Sequence, residues 1–260
     1  MRLSRVFLVI FMGVSLYGLV AAKLEAEETA SQIIAKADAP FVSHRVYSIS
    51  KMILYRSGRV RRVMEIETYS MNGGGNYYSL VIYKAPPRLR GTAYLLINND
   101  LWVRFASTGR VRRLSSSARE NSAGGSDFSY NDMGENGKGM LLGYNALLGN
   151  ENASINGVEA YEITLTPKST AKSHYEKLVV FVGKRDFHYL RIDYYKSNAN
   201  VKSLIFSDYR KVGGSDYPFK MVMESHVRPT KTEIVTKRIE LNSSRVNRSI
   251  FTVSYLKRIR

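Results

Sequence analysis

Cysteine is absent from all 260 residues. That absence excludes disulfides, thiolate nucleophiles and cysteine-based metal sites. It also leaves no thiol to carry a lipoprotein-type acyl anchor. Histidine occurs four times, as His44, His174, His188 and His226, and no two stand at helical or short-loop ligand spacing. No Gly-x-Ser-x-Gly elbow is present. Gly124-Gly125-Ser126-Asp127 and Gly213-Gly214-Ser215-Asp216 sit in loop-forming stretches without a strand–turn–helix context. Asn72-Gly73-Gly74-Gly75 lacks the Lys-Ser or Lys-Thr and the helix of a phosphate loop. The Asp-x-Asp-x-Asp-Gly calcium pattern is missing, so Asp127, Asp132 and Glu135 read as solvated loop acids. No cofactor and no metal are expected, and catalysis is not indicated. A Ser–His pair assembled in space, as in a lipid-directed hydrolase, stays open as an alternative.

Acidic residues are scarce as well: 22 against 39 lysines and arginines, for a net charge of +17. Such a field attracts anionic surfaces. Which surface depends on the compartment, and the N-terminus speaks to that. Met1, Arg2 and Arg5 precede an uncharged apolar stretch from Val6 to Val20, followed by the small Ala21 and Ala22. This is the layout of a signal peptide over residues 1–22. Its apolar core is about fifteen residues, short of the roughly 20 that span a bilayer. The expectation is a domain over residues 23–260 that works outside the cytosol, with retention as an uncleaved membrane anchor as the alternative. In that compartment an anionic membrane surface or an acidic partner is a better match than nucleic acid. Arg59, Arg61, Arg62, Arg110, Arg112 and Arg113 are the candidate docking residues, weighed against a merely solvated strand face.

Thr29-Ala30-Ser31-Gln32 reads as a capping box opening a short helix, with Ile33, Ile34 and Ala37 on one side and Pro40 as its stop. From Phe41 onward the pattern alternates with period two between turn formers. In Leu101 to Phe105, Leu101, Val103 and Phe105 share one face and Trp102 and Arg104 the other. In Arg59 to Met71, Val60, Met64 and Ile66 align. Residues 115–139 break the rhythm with Ser, Gly, Asn and Asp. Met140 to Leu148 then suggests a short amphipathic helix. Asn156-Gly157 is a strong hairpin signal, followed by Tyr161, Ile163 and Leu165 on one face and a series of strands ending near Ile250 to Leu256. Gly58-Arg59-Val60-Arg61-Arg62 recurs as Gly109-Arg110-Val111-Arg112-Arg113, a shared local form at two strand starts. Ten to twelve strands against two or three helices exclude alternating βαβ units. A single, strongly curved antiparallel sheet is expected, with one apolar and one polar face.

Several blocks then fall in order: Leu101-Trp102-Val103-Arg104-Phe105, Gly109 to Leu114, Gly125-Ser126-Asp127-Phe128-Ser129-Tyr130-Asn131-Asp132, Leu165-Thr166-Pro167-Lys168, Ser207-Asp208-Tyr209 and Phe251-Thr252-Val253. Together they resemble the bacterial outer-membrane lipoprotein-sorting-protein family, the LolA-like periplasmic carriers. The resemblance implies an unclosed half-barrel of about eleven strands with short helices across its concave face. It implies a cavity for lipid or lipoprotein acyl chains, and traffic across the envelope with an inner-membrane transporter. The lid-holding arginine of the lipoprotein carriers matches no single position here, which directs attention to lipid in general as cargo. The candidate lining is Leu101, Val103, Phe105, Tyr161, Ile163 and Leu165, with Ile33, Ile34, Tyr144 and Leu147 above them. Residues 115–148 have the composition of a movable lid. The competing reading is an envelope scaffold, interaction protein or adhesin whose sheet is filled by its own side chains.

Overall fold

Short turns force neighbouring strands to run antiparallel, and this chain is built almost wholly from them. The computed structural model describes residues 28–42, 45–115, 117–135, 139–169 and 173–260. The stretch read as a signal peptide and His44 lie outside these residues. Fourteen strands form one sheet: β1 (Val46–Arg56), β2 (Arg59–Gly73), β3 (Asn76–Ala85), β4 (Ala93–Ile97), β5 (Asp100–Arg104), β6 (Val111–Arg113), β7 (Tyr144–Leu148), β8 (Ala153–Ile155), β9 (Val158–Pro167), β10 (Lys177–Gly183), β11 (Tyr189–Lys196), β12 (Ala199–Val212), β13 (Ser215–Ser225) and β14 (Thr230–Leu241). Their order is β6-β5-β4-β3-β2-β1-β14-β13-β12-β11-β10-β9-β7, with β8 also on β9. The sheet is curved and unclosed, as expected, with more strands than the eleven anticipated. Asn156 and Gly157, with φ of 51° and 82°, make the tight hairpin between β8 and β9.

β6 and β7 are adjacent in sequence order but lie at opposite ends of the sheet. The connection between them therefore has to cross the hollow. It does so as a chain of short pieces: a 3-10 turn at Ser117–Glu120, helix α2 (Tyr130–Glu135) and a 3-10 turn at Met140–Leu142. Helix α1 (Ala30–Val42) packs beside the last of these, against β7, β10 and β13. Its start is the anticipated capping box: the Thr29 amide donates to Gln32 Oε1 at 2.8 Å, and the Gln32 amide to Thr29 Oγ1 at 3.3 Å. Pro40 sits inside its last turn, and the helix ends two residues later than expected, at Val42.

Three further expectations are corrected. Residues 140–148 are a turn and a strand, because Tyr144 to Leu148 completes the edge by pairing with β9. Alternation along β7 then buries Tyr144 and turns Leu147 outward, 71% exposed. The C-terminal segment is not a strand: it forms a 3-10 turn and helix α3 (Val253–Arg258), capped by Thr252 Oγ1 accepting the Tyr255 amide at 3.1 Å. In β2, a bulge opposite Leu54 and Tyr55 flips the face order, so Met64 and Ile66 stay buried while Val60 is exposed.

The apolar contacts fall into two clusters. The larger fills the concave side, from Ile33 and Ile34 through Met52, Tyr83 and Val103 to Ile163, Leu178 and Ile192. The second lies on the other face of β3 to β5, where Leu80, Ile82 and Leu95 are covered by Val246, Ile250, Phe251, Leu256 and Ile259. The expected polar outer face is thus apolar over this region.

Candidate functional site

α1 delivers its apolar stripe to the hollow: Ile33, Ile34 and Ala37 are buried, one helical turn apart or adjacent. Its last turn carries an acid into the same environment. The Asp38 carboxylate accepts the Tyr189 hydroxyl at 2.7 Å and the Met140 amide at 2.7 Å. Burial pushes its pKa up to about 6, against the pull of those two hydrogen bonds. Phe41 packs between Tyr189 and Tyr217, with ring centroids 6.2 and 5.8 Å away. The Tyr217 hydroxyl donates to the Pro40 carbonyl. One carboxylate thus ties the end of α1 both to the floor of the sheet and to the crossing segment.

Beside this tie lies a cavity of about 150 Å³. Its walls are mainly apolar, with Phe41, Val46, Ile192, Phe206, Met221 and Ile239 prominent, and Asp38 at its edge. A cavity of about 150 Å³ accommodates a guest the size of benzene. The buried apolar side chains of the concave side otherwise pack into one cluster.

The crossing segment is anchored, not loose. Gly124, at φ 63°, stands where an added Cβ would lie 2.8 Å from the Tyr83 hydroxyl, so only glycine permits this approach. Phe128 is buried beneath it. Asp127 accepts the hydroxyls of Thr230 and Thr232, the latter at 2.7 Å. Asp132 forms a buried ion pair with Lys202 and accepts the Tyr175 hydroxyl at 3.1 Å. Lys202 lies over the rings of Tyr175 and Tyr194 at 5.1 and 5.0 Å. Removing one partner of such a pair costs about 3–5 kcal/mol. The Gly125 to Asp132 block therefore pins the described part of residues 115–148 to the sheet, contrary to the reading of that whole stretch as a movable lid.

The ten candidate lining residues divide as follows. Leu101, Val103, Ile163, Leu165, Ile33, Ile34 and Tyr144 are buried in the concave core, and Phe105 and Tyr161 pack at its margin. Leu147 points away from it. None of the ten lines the cavity. The residues that do come from α1, the turn at Met140, β1, β2, β11, β12, β13 and β14, and the sequence reading named none of them as lining; a lone acid on the apolar side of α1, Asp38, is the signal that points there. Of the docking arginines, Arg61 and Arg62 border a separate cleft, Arg59, Arg110 and Arg112 are exposed, and Arg113 pairs with Asp100.

One serine and one histidine meet on the sheet. Ser203 Oγ lies 2.8 Å from His226 Nε2. The neighbouring acid, Asp193, accepts from Ser203 itself and is held by Arg191 at 2.6 and 2.7 Å. An acid that engages the serine does not orient the histidine as a base. Ser203 is also buried. Among the described residues no group of three or more His, Asp or Glu could hold a metal ion.

An open, curved antiparallel sheet with a helix across its hollow is the LolA-like half-barrel, and the solved structures agree. A DUF1329 family protein from Desulfovibrio piger superposes with a TM-score of 0.80 at 26% identity, over 88% of this chain and 100% of that one. A domain classed as an outer membrane lipoprotein-sorting protein domain, from Vibrio parahaemolyticus, gives 0.76 at 23% identity, over 86% and 97%. A LolA superfamily protein from Nitrosomonas europaea gives 0.72 at 20% identity, over 88% and 100%. No curated protein matches the sequence. A family model described as "-like: Uncharacterized protein" matches residues 75–258, and the chain belongs to that family.

Proposed function

We propose that this protein is a periplasmic carrier that takes lipid or lipoprotein acyl chains beneath α1 and moves them across the cell envelope. The observation that carries this reading is the apolar cavity between the sheet, the end of α1 and the turn at Met140, with the Asp38 tie at its edge. Its size fits the closed, empty form. Admission of a whole chain requires α1 to lift, which breaks the two hydrogen bonds of Asp38 together with Tyr217–Pro40 and Asn72–Val42 and bares Phe41 and the floor beneath. Each buried CH₂ contributes about 0.8 kcal/mol, so cargo offsets the cost of opening. Docking on an anionic membrane and hand-over from an inner-membrane transporter belong to the same proposal, as does the non-enzymatic role.

The test is native mass spectrometry on protein purified from its own cells, followed by uptake of a fluorescent fatty acid by the delipidated form. Bound lipid is expected, and Met221→Arg, which places a guanidinium in the cavity, is expected to abolish uptake while the fold persists by circular dichroism. A large cluster of the protein's own side chains packs on the concave side, and this favours one second reading, a scaffold without cargo. Empty protein that takes up no fatty acid establishes that reading.

A further inference from the structure

We infer that the protein has a second binding site, a cleft at the rim of the sheet that takes a phosphorylated anion. The cleft has a volume of about 520 Å³ and shares no lining residue with the cavity under α1. Arg56 comes to it from the end of β1, Arg61 and Arg62 from the start of β2, Arg88 from the 3-10 turn after β3, and Arg228 from the turn before β14. Asp127 is its one acid, already spent on two threonine hydroxyls and standing 3.8 Å from Arg228.

The bulge in β2 is what assembles the pair at its centre. Arg62 stands opposite Leu54 and Val60 opposite Tyr55, leaving Arg61 as the inserted residue. Regular alternation would send Arg61 and Arg62 to opposite faces, and the bulge re-aims them so that both border the cleft. Arg62 donates to the Gly124 carbonyl at 3.1 Å, which fixes its head and leaves most of its five N–H groups unspent.

Elsewhere on this surface basic side chains find acids: Lys237 with Glu65, Arg210 with Asp208, Arg238 with Glu240. Among the described residues no acid pairs with Arg56, Arg61 or Arg88, all exposed. Five guanidinium groups gathered from separate segments around a single carboxylate leave a net positive charge that an anion from outside can match. Guanidinium groups suit phosphate because two N–H groups meet two oxygens. A phosphorylated lipid headgroup and free phosphate present that same chemistry.

The test compares Arg61→Gln/Arg88→Gln with a charge-matched pair outside the cleft, Arg185→Gln/Arg258→Gln. All four side chains are exposed, so both variants are expected to fold, as checked by thermal melting. One arm titrates inorganic phosphate by calorimetry. The other measures co-sedimentation with phosphatidylcholine vesicles containing about a third phosphatidylglycerol. The wild type is expected to bind at least one probe, the cleft pair to weaken it roughly tenfold or more, and the outside pair to stay within about twofold. Phosphate binding lost in the cleft pair assigns a free-phosphate site, and vesicle binding alone lost in that pair assigns a lipid headgroup. No binding of either probe, or equal loss in the two pairs, overturns the site. Neither result depends on cargo under α1.

Discussion

Asp38 shows how one residue carries structural and electrostatic consequences together. A carboxylate that ties a helix to both a sheet and a loop is buried between them, and burial disfavours its charge. Its pKa rises from 3.8 to about 6. The folded protein thus holds this proton over a range in which the unfolded chain has released it. The stability from this group is fully present below about pH 4 and is lost as pH rises through about 6, by an amount on the order of 3 kcal/mol. Asp38→Asn keeps the shape and removes the titration. Thermal melts across that range should show the wild type losing stability relative to Asp38→Asn as pH rises. Parallel curves would mean that Asp38 titrates as an ordinary surface acid.

Among the elements, the stretch from Tyr144 to Leu148 carries two conflicting signals. Tyr144, Leu147 and Leu148 have helical spacing, yet the segment pairs with β9 and becomes an edge strand. Five residues carry too little pattern to separate the two periods, and the empty edge of β9 decided the outcome. The two assignments make opposite predictions for adjacent residues. In a strand, Leu147→Asp is an exposed change worth within about 0.5 kcal/mol, whereas Leu148→Asp drives a charge against the core and costs several times more. Urea denaturation of the two variants separates them. β3 is the contrasting case: seven consecutive buried residues, Tyr77 to Tyr83, announce burial on both faces. That run was a legible sign that the outer face would be covered, although nothing local named the cover.

For the whole molecule, the C-terminal segment is that cover. Val246, Ile250, Phe251, Leu256 and Ile259 close over β3 to β5. Burying each such side chain is worth roughly 1.5–3 kcal/mol. A chain ending before Val246 would expose a contiguous apolar patch around Leu80, Ile82 and Leu95, and patches of that kind drive association. Size-exclusion chromatography should show this truncation as oligomers or aggregates, with a lowered melting temperature. A monomer of unchanged stability would show that the second cluster contributes little. The unclosed sheet and the crossing connection between its two edges follow from one topological fact, that β1 and β14 meet in its middle.

The sequence by itself determined the class of fold. Alternation, short turns and the Thr29–Gln32 box act between near neighbours, and near neighbours are what a pattern of residues can express. It also marked the concave faces of β5 and β9 and the block from Gly125 to Asp132. What only the tertiary structure decided were the places where distant segments converge: the pinning of the crossing segment by Lys202, the cavity beside Asp38, the C-terminal cover over β3, and the cleft where a bulge turns Arg61 toward Arg56, Arg88 and Arg228. Each depends on the register of strands far apart in the chain, and register is set by the packing of the whole sheet.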